Sequence, residues 1–328
     1  MDYDKTMKQK YFGWQWRTII TGMMMGAADL VPGISGGTVA LLSGIYGRLL
    51  AAISGVDLTF AKLLVRGQVV QAWRHLDASF LVNLGLGIGA SLLLLSKLIS
   101  WLLVVQPLLM WSLFLGLILV ASGLLLKELV AHKSLRLAWL LLGIVVSVSL
   151  ANMPVLTVVD GFSGWGYLWL MAAGALAISA MILPGISGSF ILLIIGVYPY
   201  LIGRLAALDI QVIVVFALGC GVGLLTFSRL VSYLLSHYMA SVMSLLTGLM
   251  VGSAVKLWPW KHTITYRLNS SGAEVPLQQE NLLPWNYSQM TGLDHQLLAS
   301  LVIFLLAAML VYKYGRIRLQ DLKAKVDG

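Results

Sequence analysis

The chain is poor in cysteine and in charge. Its single thiol, Cys220, among 328 residues excludes a disulfide framework and a cysteine-based metal site, and its place inside an apolar run makes it a small packing residue. Only 11% of the residues are charged, against 59% hydrophobic and a mean hydropathy of +0.90. That leaves too few polar side chains to wet a soluble globule, and several apolar stretches approach the roughly 20 residues that cross a bilayer. The five histidines include no pair at convincing metal-ligand spacing, so neither metal nor cofactor is expected. No small-residue cleavage pattern follows a compact apolar core near the start, so residues 1–17 read as a retained cytoplasmic segment. The class is an all-α polytopic membrane protein.

What the chain does contain is a repeated break. Pro32-Gly33-Ile34-Ser35-Gly36 returns as Pro184-Gly185-Ile186-Ser187-Gly188, each time inside an apolar run. Proline lacks an N–H and clashes one turn back, and glycine is entropically costly in a helix, so neither run continues as one helix. The flanking pieces, residues 18–31 with 37–53 and residues 167–183 with 189–205, are too short to span alone and suit re-entrant hairpins of two half-helices. Backbone freed at membrane depth must be satisfied by protein or a wet cavity, so a break present in both halves points to a binding site.

The rest reads as about six full transmembrane helices, near residues 80–104, 108–126, 135–153, 212–235, 240–257 and 296–314. Residues 61–77 place Lys62, Arg66, Arg74 and His75 between apolar positions, as in a helix lying on the cytoplasmic surface. Residues 258–295 are the one long polar segment and are expected as an external loop, with Trp258, Trp260 and Trp285 suited to a membrane interface. Most Lys and Arg fall on one side, in the N-terminal segment, the first hairpin with its surface helix, the loop of Lys127, Lys133 and Arg136, and the tail from Lys313. The positive-inside rule makes that side the cytoplasm, with both termini there. The net charge of +9 then reflects basic loops and anionic membrane lipids, and no nucleic-acid partner is needed.

The repeat extends beyond its signature. Aligned without a gap, residues 22–46 and 174–198 share Gly22, Ala28, Pro32 to Gly36, Gly44 and Tyr46. Gly85 to Gly89 resembles Gly219 to Gly223, and Ser96-Lys97-Leu98 resembles Ser228-Arg229-Leu230. The unit is hairpin, span, span. Three spans separate the hairpins, so they enter from opposite faces, an inverted-topology repeat typical of secondary transporters. The expected organisation is an N-terminal segment (1–17), first repeat (18–130), linking span and external loop (131–166), second repeat (167–257), external loop (258–295), and last span with a basic tail (296–328). The pairs Gly22/Gly26, Gly85/Gly89, Gly219/Gly223 and Gly248/Gly252 read as close helix-packing positions.

The stretch from Gly26 to Thr38, Gly-Ala-Ala-Asp-Leu-Val-Pro-Gly-Ile-Ser-Gly-Gly-Thr, with Gly44-Ile45-Tyr46 and the later copy from Leu183 to Ser189, resembles the bacterial polyprenyl-phosphate transporters over nearly the whole chain. The resemblance implies a flippase in the bacterial cytoplasmic membrane. Its substrate would be undecaprenyl phosphate, the carrier of cell-envelope precursors, returned from the outer to the inner leaflet.

On that reading, the residues of the two breaks form the substrate site: Pro32, Gly33, Ser35, Gly36, Gly37 and Thr38 with Pro184, Gly185, Ser187, Gly188 and Ser189. Half-helix N-termini with exposed N–H groups suit a phosphate, glycines allow close approach, and the hydroxyls add donors. The alternative is that the motif only shapes two crossing turns, with Ser35 and Ser187 as N-caps. Lys97 and Arg229 hold equivalent repeat positions and suit the two ends of a phosphate path, with Arg48 and Arg204 as further candidates; snorkelling to the interface is the competing reading. Asp29 is the one carboxylate well inside an apolar segment, and Met181 stands at its counterpart. It is a candidate for coupling to H⁺ or Na⁺, or else a cap on hairpin backbone. Coupling ion and homo-oligomer formation are left open.

Two other classes compete. A channel or transporter for a small anion would also use duplicated half-helices. A prenyl-lipid phosphatase finds only weak support, because Gly33-Ile34-Ser35-Gly36-Gly37 matches a nucleophile elbow without its strand. The expectation is that the protein is not an enzyme.

Overall fold

Apolar runs become helices here, and they stop where proline, glycine or a polar cap stops them. The structure, a computed structural model, describes residues 15–30, 35–153, 165–268 and 274–326. Helix α1 (Trp16–Asp29) leads into the first break, and α2 (Gly36–Leu42) leaves it. The chain then bends by 117° into α3 (Tyr46–Ser54). Two short helices, α4 (Leu58–Val65) and α5 (Val69–His75), precede the long apolar α6 (Ala78–Val105), α7 (Pro107–Ala131) and α8 (Leu137–Ala151). The second break lies between α9 (Trp165–Ile182) and α10 (Gly188–Ile194), and a 112° bend leads to α11 (Tyr198–Ala206). Thus each break is followed by helices of 7 and 9 residues meeting at a sharp corner.

Helix α12 (Ile210–Ser253) ends in a 3₁₀ turn (Ala254–Leu257). A hairpin of β1 (Lys261–Leu268) and β2 (Glu274–Asn281) follows, then α13 (Pro284–Thr291) and α14 (Leu297–Val326). Helices α6, α7 and α12 with its 3₁₀ extension are long and apolar enough to cross a membrane, and the two bent pairs bring the candidates to five. Helix α8 and the apolar parts of α9 and α14, Gly166–Ile182 and Leu297–Lys313, are shorter. The protein is a multi-pass helical membrane protein.

Several expectations change in detail. The surface helix of residues 61–77 is two helices, because Gly67 adopts φ +69°, and Asp57 caps the first by accepting the Phe60 N–H at 2.8 Å. The spans expected at 212–235 and 240–257 are two helical stretches of α12 that meet at a kink, with non-helical backbone at Tyr238. Just before it, Ser236 Oγ and His237 Nδ1 both reach the Tyr233 carbonyl, at 2.8 and 2.9 Å, the local competition that bends a helix. The polar segment has regular structure of its own, two strands and a short helix. Its strands pair antiparallel from Lys261 opposite Asn281 to Leu268 opposite Glu274. Trp258 and Trp260 hold it down: their indoles donate to the carbonyls of Leu282 (2.7 Å) and His295 (2.8 Å), and Trp260 is buried with Leu108 and Tyr287. Of the three tryptophans, Trp285 is the exposed one. The readings of residues 1–14 and 154–164 lie outside the described residues.

Between apolar helices in lipid there is little hydrophobic drive, so close van der Waals approach at small residues holds them together. Gly22 and Gly26 of α1 lie against the backbone of Leu84, Gly87 and Ile88 in α6, and Gly219 and Gly223 of α12 against Met171 and Ala175 in α9. Gly248 and Gly252 meet α8 at Leu140 and Ile144. The Gly85/Gly89 pair differs: neither has an atom within 4 Å of an added Cβ, and the packing glycine of that helix is Gly87 between them. A buried core of Leu41, Phe80, Ile186, Leu246, Leu249 and Met250 sits where the two broken segments approach each other.

Candidate functional site

At the first break the chain satisfies its own donors. Ser35 caps α2 from an extended conformation, its Oγ accepting the Gly37 N–H at 3.0 Å. The preceding donor, Gly36 N–H, goes to a carboxylate oxygen of Asp29 at 2.7 Å. Asp29 therefore folds back from the end of its own helix onto the start of the next. Pro32 and Gly33 lie outside the described residues.

The second break is built differently. Met181 occupies the place of Asp29, and the Ser187 side chain caps no backbone N–H but pairs with Ser189 Oγ at 2.9 Å. Pro184 is fully buried, and Gly185 has φ +83°, a conformation that a Cβ disfavours. An added Cβ there would also meet the Leu249 carbonyl of α12 at 2.8 Å, and Gly188 packs on Ala177 of α9.

The two breaks touch. Ser35 Oγ donates to the Met181 carbonyl at 2.6 Å, and the Gly185 N–H donates to Thr38 Oγ1 at 3.0 Å. Gly37 lies so close to the end of α9 that a Cβ would come within 2.5 Å of the Ile182 carbonyl. Ser35 and Thr38 are buried, so each hydroxyl is committed to holding one break on the other.

The basic candidates have different partners. Arg48 grips Asp77 through Nε at 2.6 Å and through a terminal nitrogen at 3.1 Å, and stacks over Phe80. Arg204 reaches Asp209 at 3.4 Å and lies over Tyr200. Both pairs tie the second helix of a bent pair to the start of a long helix. Arg229 donates to the Val56 carbonyl, just past α3, at 2.5 Å, while Lys97 is exposed on α6.

One basic residue near the second break carries no signal in the sequence. A small, partly open recess is lined by Ser147, Gly185, Ser187, Phe190, Ser253 and Lys256, among others. The Lys256 ammonium lies 4.7 Å from the centre of the Phe190 ring. Lys256 follows an apolar helix and resembles a snorkelling end residue, and only the fold brings it beside Ser187. Among the described residues no group of acidic, histidine or cysteine side chains is arranged to hold a metal.

The family model described as VCA0040-like, undecaprenyl phosphate translocase-like, matches residues 25–275. A polyprenyl-phosphate transporter of Vibrio cholerae serotype O1 (strain ATCC 39315 / El Tor Inaba N16961) is 42% identical over 294 residues, covering 90% of this chain and 94% of that protein. A polyprenyl-phosphate transporter of Staphylococcus aureus (strain NCTC 8325 / PS 47) is 36% identical over 93 residues, 26% of this chain and 33% of that one. No solved structure matches. Matched over most of its length, and with both breaks inside the matched residues, the chain belongs to the undecaprenyl phosphate translocase-like family.

Proposed function

We propose that this protein is a transporter of polyprenyl phosphate that returns undecaprenyl phosphate from the outer to the inner leaflet of the bacterial cytoplasmic membrane. Family membership and the relative named for that substrate support the class. The observation that carries the site is the pair of hydrogen bonds joining Ser35 to Met181 and Thr38 to Gly185, which bring two separately broken segments to one place. The proposed frame is an inverted-topology repeat with six full spans, two re-entrant hairpins and both termini in the cytoplasm. In such a frame a site between the breaks is reachable from either leaflet in turn as the repeats rock. The prenyl tail stays in lipid, and only the phosphate enters the protein.

Asp29 supplies the coupling step in this reading. Its carboxylate already takes the Gly36 N–H, as an anion would. Protonation, or capture of Na⁺, weakens that bond and frees the donor for the phosphate. Lys97 and Arg229 serve as stations toward the two surfaces. Arg48 and Arg204 would act through the ion pairs that hold the bent segments.

The test uses purified protein in liposomes carrying labelled undecaprenyl phosphate in the outer leaflet, with its loss from that leaflet followed in time. Accelerated loss that undecaprenol, lacking phosphate, does not show is the expected result. Competition by inorganic phosphate equal to that of the lipid would instead make the protein a small-anion carrier. Release of inorganic phosphate from the lipid would make it a phosphatase.

A further inference from the structure

We infer that the recess beside the second break is the phosphate-binding pocket, with Lys256 as its cation and the Ser187 and Ser253 hydroxyls beside it. This rests on the function proposed above and adds a residue outside both repeated motifs. Ser187 and Ser253 are buried and line the same recess as the Lys256 side chain. Among the described residues no carboxylate pairs with Lys256, unlike Arg48 and Arg204. Its ammonium rests on the Phe190 ring, a cation–π contact that a phosphate oxygen replaces with a charge-assisted hydrogen bond.

A second basic residue lies close by. Lys261 of β1 donates to the Lys256 carbonyl at 2.6 Å and lies over the Trp111 ring, 3.7 Å from its centre, so two lysines converge where the hairpin meets the end of α12. Burial and the neighbouring Lys256 push the Lys261 ammonium down to about 7. Two cations held together without an anion between them favour one arriving. At the first break, by contrast, the leading N–H groups are already taken by Asp29 and Ser35. The recess is thus the better provided of the two sides, and it opens beside the hairpin that the proposed topology places outside.

Shared chemistry leaves two sources of the phosphate, the lipid headgroup and the free ion, and the experiment separates them. Full-length protein in phosphatidylcholine nanodiscs is titrated with undecaprenyl phosphate, with undecaprenol and with inorganic phosphate, for wild type, Lys256→Met and Lys256→Arg. Lys256→Met is expected to weaken undecaprenyl phosphate binding by about 10- to 100-fold, the scale of one charge-assisted hydrogen bond. Lys256→Arg should stay within about threefold of wild type, because the charge is kept. Thermal unfolding reports folding, and if the Met variant does not fold, Lys256→Gln is read in its place. Wild-type affinity in a folded, uncharged variant overturns the Lys256 pocket and leaves the transporter reading standing. Lysine-dependent binding of inorganic phosphate as tight as that of the lipid keeps the pocket and overturns the lipid reading. Wild type that binds undecaprenol as well as undecaprenyl phosphate overturns both.

Discussion

The Gly185 N–H donates to Thr38 Oγ1 at 3.0 Å, across 147 positions of sequence. Both groups are buried, and neither has water to fall back on. Replacing Thr38 by Val keeps the shape and strands the Gly185 donor, at a cost of about 1–3 kcal/mol. Thr38→Ser retains the acceptor. A lowered thermal midpoint in detergent for the Val variant alone is the expected outcome; equal midpoints would mean the two breaks do not depend on this bond.

Asp29 separates two roles by chemistry. Asn keeps an oxygen for the Gly36 N–H but cannot exchange a proton, whereas Ala removes the cap, costing about 0.5–2 kcal/mol. Transport should be lost in both variants, and stability in Asp29→Ala only. Wild-type transport by Asp29→Asn would reduce Asp29 to a backbone cap.

Helix packing makes a prediction within five residues. A Cβ on Gly87 would run into the backbone of Ile19 and Met23 in α1, while Gly85 has open space. Gly87→Ala should lower the midpoint sharply by overpacking, about 1–3 kcal/mol. Gly85→Ala should be neutral or gain up to about 1 kcal/mol from helix propensity. Thermal scans of the two proteins side by side decide it.

Lys261 gives stability a pH dependence. Its native ammonium titrates at about 7, against roughly 10.4 in the unfolded chain, so between these values the unfolded state holds the extra proton. Stability should therefore rise as pH increases from about 7 towards 10, and show no such contribution below 7, where both states are protonated. Wild type and Lys261→Met are compared by thermal unfolding across this range. A parallel pH course in the two proteins would show that Lys261 does not carry the effect.

Much of the architecture was legible because lipid allows a chain few options. Apolar runs at bilayer length mark helices, and Pro-Gly inside such a run marks a break, since every freed backbone group must find a partner. The spans expected at residues 80–104 and 108–126 match α6 and α7 closely, with ends differing by a few residues. The 117° and 112° corners went unread, although each contains a glycine of positive φ, Gly44 at +62° and Gly196 at +75°. The hairpin between Lys261 and Asn281 also escaped: the alternation of Ile264, Tyr266 and Leu268 with polar residues is short, and Trp258 and Trp260 hold the segment from outside the strands.

By itself, then, the sequence determined the class, the two breaks, the asymmetry of Asp29 against Met181 and the resemblance that points to a polyprenyl phosphate, because each rests on residue type and spacing along the chain. Tertiary structure alone decided that Ser35 and Thr38 are spent on joining the breaks, that Arg48 and Arg204 are held by carboxylates, and that Lys256 stands beside Ser187. Those facts depend on which groups meet after helices far apart in sequence have packed, and a hydroxyl or a cation is free or committed only by virtue of what it meets.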